Sequence, residues 1–186
     1  KFFISFKMNI PFLDFQYQNN DTSKEILNAI KSVFDSKDYV LGTNVSKFEE
    51  RYSDLMNIKF SVGVGSGLDA LSISLKALDV KPGDEVIVSP WTMSATATAI
   101  LNWNAIPVFA DICKKTYNID PDSILKNISK YTKAIVAVDI FGQSADMDEI
   151  MEIAKKYDLK VISDTAQAPG AKYHGKYAGT LGDIGG

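Results

Sequence analysis

The stretch Val161-Ile162-Ser163-Asp164-Thr165-Ala166-Gln167-Ala168-Pro169-Gly170 decides how this chain is read. Residues 160–163 are a short apolar run of strand type, and Asp164 follows at its carboxyl end, the edge where open α/β sheets bind ligands. Residues 165–170 are small and loop-like, so the Asp164 carboxylate and the Gln167 carboxamide can face one bound molecule. On this stretch alone, Asp164 reads equally well as a cap for the next turn, because aspartate accepts backbone N–H groups there.

Upstream, two kinds of segment alternate. Strands are expected at 60–64, 85–89, 106–110 and 134–138, and helices at 67–78, 94–102, 121–128 and 146–157. This alternation predicts an α/β fold, a mainly parallel sheet with crossover helices on both faces. Earlier still, Thr22-Ser23-Lys24-Glu25 has the form of a capping box, with Ile26, Ile30, Val33 and Phe34 following at helical spacing. A second helix is expected at 45–56, with Val45, Phe48, Tyr52, Leu55 and Met56 on one stripe.

With 186 residues, 46% of them hydrophobic, the chain can bury one substantial core, and one domain is expected. The net charge of -3 comes without basic blocks and recommends neither nucleic acid nor an anionic membrane as a partner. A small-molecule role is favoured. Cys113 is the only cysteine, so no intrachain disulfide forms, and with the single His174 it argues against a Cys/His zinc site. A reducing cytoplasm fits this. Lys7 interrupts the apolar opening residues too early for an export signal, and Met8 looks like a more natural start, so residues 1–9 read as an extension or start region. Asp183-Ile184-Gly185-Gly186 reads as the onset of another element.

Gly63-Val64-Gly65-Ser66-Gly67-Leu68 joins a strand to a helix, but the dinucleotide fingerprint fails where Leu68 replaces its third glycine, and no Gly-Lys-Ser/Thr closes a Walker loop. What remains is a glycine-rich turn whose amides at Gly67, Leu68 and Asp69 open a helix and can hold one phosphate. Asp69, three residues after Ser66, can instead complete a helix cap. In Ser89-Pro90-Trp91-Thr92-Met93, the Trp91 indole or the Met93 thioether can cover a flat ring, although core packing is the ordinary use of such side chains. Asp139 is a further carboxylate on this edge, or a cap for the turn into Phe141-Gly142-Gln143. A phosphate cradle, a ring cover, a carboxylate and a carboxamide together describe a phosphorylated aromatic heterocycle with a ring nitrogen and a hydroxyl, for which pyridoxal phosphate is the obvious candidate. A carboxylate beside the pyridine nitrogen keeps that nitrogen protonated, and the protonated ring is an electron sink.

Four segments carry a resemblance to a known family: Gly65-Ser66-Gly67-Leu68-Asp69-Ala70-Leu71, Pro82-Gly83-Asp84-Glu85-Val86-Ile87-Val88, Asp139-Ile140-Phe141-Gly142-Gln143-Ser144-Ala145-Asp146-Met147, and Asp164-Thr165-Ala166-Gln167-Ala168-Pro169-Gly170-Ala171. In order and spacing, from about Ile10 to the last residue, the chain resembles the DegT/DnrJ/EryC1/StrS sugar aminotransferases. The resemblance implies the large domain of an aspartate aminotransferase-like (fold type I) enzyme and a homodimer with shared active sites. It also implies transfer of an amino group, usually from glutamate, to a keto group of a nucleotide-linked sugar, as in amino-sugar and surface polysaccharide biosynthesis. Asp164 is then expected on the pyridinium nitrogen and Gln167 near the cofactor hydroxyl. With Gly67, Leu68, Asp69, Trp91 and Met93, they make the expected cofactor-binding set.

Three positions depart from the family pattern. Many members carry a hydroxyl residue where Leu68 stands, and an aromatic residue usually follows the threonine matching Thr92, where this chain has Met93 with Trp91 before it. The lysine to which the family attaches its cofactor falls beyond residue 186, and Lys172 and Lys176 match no catalytic position, so no catalytic residue is assigned. Residues 10–186 are thus expected to be the amino-terminal part of the cofactor-binding large domain, without the small carboxy-terminal domain. Two alternatives stay open: a nucleotide-sugar dehydratase of the same family using the same cofactor, and an inactive truncated remnant.

Overall fold

The structure is a computed structural model that describes residue 11 and residues 14–186. The expected start region, residues 1–9, lies outside the described residues. Helices α1 (Gln16–Ser36), α2 (Thr43–Met56), α3 (Gly67–Ala77), α4 (Ser94–Leu101), α5 (Pro121–Asn127) and α6 (Met147–Tyr157) alternate, from α3 onward, with strands β1 (Glu85–Val88), β2 (Ile106–Phe109), β3 (Thr132–Val138) and β4 (Lys160–Asp164). Two short strands, β5 (Lys172–Tyr173) and β6 (Lys176–Tyr177), form an antiparallel hairpin, and β7 (Ile184–Gly185) completes the set.

Apolar side chains on successive strand positions build two cores. Ile87, Ile135, Ala137 and Val161 pack with Ile124 of α5 and Ile150, Ile153 and Ala154 of α6. Val86, Val88, Ala134, Val136 and Ile162 pack with Leu71 and Leu75 of α3 and Ala99 and Ile100 of α4. Covering both faces is what turns strand sequences such as Ala134-Ile135-Val136-Ala137-Val138 into unbroken apolar runs. The five strands of this sheet are all parallel, in the order β2-β1-β3-β4-β7. The chain steps from β1 outward to β2 and then returns to the other side of β1 with β3. That reversal leaves a crevice between the carboxyl ends of β1 and β3, the switch point where such sheets take ligands.

Three expectations change. Residues 60–64 are not a strand: no ladder partner is present among the described residues, and Phe60 and Val62 are exposed. An apolar alternating sequence supplies side chains for a sheet, but backbone pairing needs a neighbour. The open side of β4 is paired instead by β7, with Ile162 opposite Ile184 and Ser163 opposite Gly185. Glycine allows this approach: a Cβ at Gly182 would lie 2.7 Å from the Val161 carbonyl oxygen, and one at Gly185 would collide with the Gly179 carbonyl. Finally, α1 begins at Gln16, so Thr22-Ser23-Lys24-Glu25 lies inside the helix and not at its start.

The chain divides into two compact units, residues 1–50 and 51–186. The sheet and both cores lie in the second. In the first, Lys37 takes a left-handed conformation that ends α1, its N–H reaching the Val33 carbonyl at 3.1 Å. The Asp38 carboxylate accepts from both N and Oγ1 of Thr43, at 2.8 and 2.9 Å, and so starts α2 two residues before the expected position. Ile26, Ile30 and Phe34 of α1 and Phe48 and Leu55 of α2 are exposed.

Candidate cofactor site

The alternation of β4 that buries Ile162 against α4 sends Asp164 to the same face. Its side chain is buried, and Thr96, itself buried within α4, donates through Oγ1 to Asp164 Oδ2 at 3.0 Å. The Ala166 N–H donates to Oδ1 at 3.3 Å. Thr92 Oγ1 lies 3.2 Å from Thr96 Oγ1; with the Thr96 proton on an ionised carboxylate, Thr92 is the donor between them. Burial pushes the Asp164 pKa up, while the bonds from Thr96 and Ala166 oppose the rise. A carboxylate so placed gains from a cationic partner.

Beside it, the turn after β3 is fastened to β4. The Asp139 N–H donates to the Asp164 carbonyl at 2.9 Å. Asp139 is fully buried; Oδ1 accepts from Ala145 N at 2.7 Å, whereas Oδ2 has no hydrogen-bond partner. Burial raises its pKa to about 6 against the bond from Ala145, with the Asp164 charge adding to the rise. The capping role considered for Asp139 therefore accounts for one of its two oxygens. Next along, the Phe141 N–H donates to Gln167 Oε1 at 3.0 Å.

Pro90, Trp91 and Thr92 after β1, Ile140 and Phe141 after β3, and Gln167 after β4 line an open cleft of about 410 Å³ at the switch point. Trp91 and Tyr117 have ring centroids 6.3 Å apart, and Tyr117 and Phe141 6.4 Å, so three rings stand in a row along this edge. Of the two candidate ring covers, Trp91 lines the cleft; Met93 is exposed at the start of α4 and does not.

The glycine turn differs from its reading in one respect. Ser66, extended at φ -163° and ψ 167°, caps α3: its Oγ accepts the Asp69 N–H at 3.1 Å and donates to Asp69 Oδ2 at 2.9 Å. The Asp69 amide, expected to be open, is thus taken by the cap, leaving Gly67 and Leu68 to offer first-turn N–H groups. Open space lies before Gly67, where an added Cβ would meet nothing within 4 Å. The link from this turn to the Asp164 loop is indirect. Gly186 lies against Ala70 of α3, and its carbonyl accepts from Thr165 N at 2.7 Å and Thr165 Oγ1 at 3.1 Å.

The structure therefore gathers Trp91, Asp164 and Gln167 at one sheet edge, ties the turn of Gly67 and Leu68 to it only through the Gly186 contact with α3, and leaves Met93 outside the cleft. Lys172 and Lys176 are exposed on the β5–β6 hairpin and line no part of the cleft, Lys172 Nζ lying 4.5 Å from the Tyr177 ring centroid. Among the described residues, no group of three or more His, Cys, Asp or Glu side chains is placed to hold a metal, and no helix is long and apolar enough to cross a membrane. Sequence reasoning missed Thr96. Its role comes from a contact with a residue 68 positions away, which the local sequence does not signal.

Known proteins resemble this chain in sequence and in fold. The chain is 47% identical over 177 residues to the dTDP-3-amino-3,6-dideoxy-alpha-D-galactopyranose transaminase of Aneurinibacillus thermoaerophilus, covering 95% of this chain and 49% of that protein. It superposes on the structure of NtdA from Bacillus subtilis with bound cofactor PMP at a TM-score of 0.85 and 38% identity, over 92% of this chain and 40% of that one. For the GDP-4-keto-6-deoxymannose-3-dehydratase ColD the values are 0.80 and 33%, over 86% and 43%. The chain spans about half the length of the curated relatives it matches. The sequence profile of the DegT/DnrJ/EryC1/StrS aminotransferase family matches residues 20–186, and by this match, on a parallel sheet of the kind its solved relatives share, the chain belongs to that family.

Proposed function

We propose that residues 10–186 are the cofactor-binding part of a pyridoxal-phosphate-dependent enzyme that transfers an amino group, from glutamate, to a keto group of a nucleotide-linked sugar. The observation that carries this reading is the buried Asp164 carboxylate, held by Thr96 and the Ala166 amide at the carboxyl end of β4 beside a cleft lined by Trp91 and Gln167. When bound, the cofactor supplies an electron sink at its protonated ring.

The residues present fit such a group. Asp164, ionised, accepts the ring N–H and holds the proton there, because a nearby negative charge in a partly desolvated site favours the charged ring. Thr96 and Thr92 hold the carboxylate rotamer. Gln167 would donate to the ring hydroxyl oxygen, and Trp91, rather than Met93, would cover the ring and exclude water from it. Gly67 and Leu68 give their amides to the phosphate at the positive end of α3, with Asp69 closing the cap behind them. The cofactor-anchoring lysine is assigned to no residue within 1–186.

A nucleotide-linked keto-sugar substrate is supported by the names of the similar transaminases, and amino-sugar formation for surface polysaccharide is the process it suits. A homodimer is supported by the exposed apolar side chains of α1 and α2, which a second copy would cover. A cytoplasmic setting is supported by the single unpaired Cys113. The likeness to ColD favours one second reading, dehydration of a nucleotide-linked keto-sugar with the same cofactor. Incubating the complete protein with pyridoxal phosphate, glutamate and a panel of such sugars separates the outcomes. An amino-sugar product is expected; a deoxy-keto product without nitrogen would select dehydration, and no cofactor binding would overturn both.

A further inference from the structure

The carboxamide of Gln167 has only one orientation open to it. Its partner is the Phe141 N–H at 3.0 Å, and a backbone N–H can only donate, so Oε1 must face it and the NH₂ group is left for the cleft. The position of that N–H depends on Phe141 itself, which stands at φ 54° and ψ 25°. A non-glycine residue leaves this left-handed conformation unless its surroundings hold it. The holding group is Asn118, buried on a separate loop, whose Oδ1 accepts from Ile140 N at 2.9 Å and whose Nδ2 donates to the carbonyls of Gln143 at 3.1 Å and Ser144 at 2.9 Å. These bonds grip the turn on both sides of Phe141. Asn118 is fixed in turn by its own backbone, the carbonyl accepting from Cys113 N at 2.9 Å, and by the bridge between Ile112 and Ile119. No other neutral side chain of this length both accepts and donates, as the grip requires.

We propose that Asn118 is a positioning residue: it holds Phe141 in its left-handed turn, whose N–H fixes the Gln167 carboxamide with its NH₂ group toward the cleft, so that the site offers a donor to an oxygen of the bound ring. This rests on the reading of Gln167 as the partner of the cofactor hydroxyl. A hydrogen-bond donor stabilises the ionised form of such a hydroxyl, so losing the donor raises the pH at which the bound cofactor's absorbance titrates.

Asn118→Ala, Asn118→Asp, Gln167→Ala and the Asn118→Ala/Gln167→Ala pair test this in the complete protein. One readout needs no ligand: amide hydrogen exchange resolved at Phe141 should speed up in either single Asn118 variant as it does in Gln167→Ala. The second is titration with pyridoxal phosphate. Asn118→Ala should bind roughly tenfold more weakly and move the absorbance midpoint upward, as Gln167→Ala does, and the double variant should go no further than Gln167→Ala alone. If Asn118→Ala does not fold, Asn118→Asp, which keeps the acceptor for Ile140 and loses both donations, should show the same upward direction. Additive midpoint shifts in the double variant, or slow Phe141 exchange in the Asn118 variants, would overturn the proposal. If wild type binds no pyridoxal phosphate, the functional reading fails, and Phe141 exchange still decides whether Asn118 sets the turn.

Discussion

Two buried carboxylates meet at the end of adjacent parallel strands, and their surroundings give them different work. Asp164 has donors on both oxygens; Asp139 has one oxygen in a turn cap and the other without a partner. For Asp139, whose pKa rises from 3.8 to about 6 on folding, the sign follows from proton counting. Between those values the folded chain keeps a proton that the unfolded chain has released, so this group's contribution to stability falls as pH rises and levels off above about 6. Asp139→Asn keeps the acceptor for Ala145 and cannot ionise. The urea-unfolding free energy of the variant relative to wild type should therefore climb in the variant's favour across that window, and a difference independent of pH would show that Asp139 does not titrate there. A second residue-scale prediction concerns the ring cover. Trp91 lines the cleft and Met93 does not, so Trp91→Ala should weaken pyridoxal phosphate binding roughly tenfold while Met93→Ala stays within about twofold. Equal effects, measured by absorbance titration, would remove that distinction.

Elements were legible in the sequence where side-chain pattern alone determines them. Strands β1, β3 and β4 and helices α3 to α6 fall within a few residues of their expected places, because apolar runs between polar, Pro and Gly punctuation leave few alternatives. Where backbone pairing or capping chemistry decides, the letters mislead: β7 is Ile-Gly and pairs through its backbone, residues 60–64 have strand composition and no partner, and Thr22 to Glu25 spell a cap inside a helix. In the site, Asp164, Gln167 and Trp91 could be singled out because each lies at a strand's carboxyl end or within three residues of it. Thr96 and Asn118 could not, since their roles come from contacts 68 and at least 22 residues away along the chain. The α3 cap gives the element its own test. Ser66→Ala removes the hydroxyl that the Asp69 N–H uses, and should lower unfolding stability by about 1 kcal/mol with little change in cofactor affinity. A large loss of affinity at unchanged stability would mean that the hydroxyl serves the ligand and the cap is secondary.

At the scale of the molecule, a doubly covered parallel sheet with one reversal of strand order concentrates loops 89–93, 139–145 and 164–170 at one crevice. The sheet's two cores fix the strand ends, and the strand ends fix the chemistry: a carboxylate and a carboxamide from one loop converge there with an indole that lies more than seventy residues earlier in the chain. The central claim is that Asp164 holds the proton of a pyridine ring. It is tested most directly by ¹⁵N NMR of the complete protein loaded with pyridoxal phosphate labelled at the ring nitrogen, comparing wild type with Asp164→Ala near neutral pH. A protonated ring nitrogen in wild type, shifted to the unprotonated range in the variant, is the predicted result; an unprotonated nitrogen in wild type, or the same protonated signal in both, would contradict it.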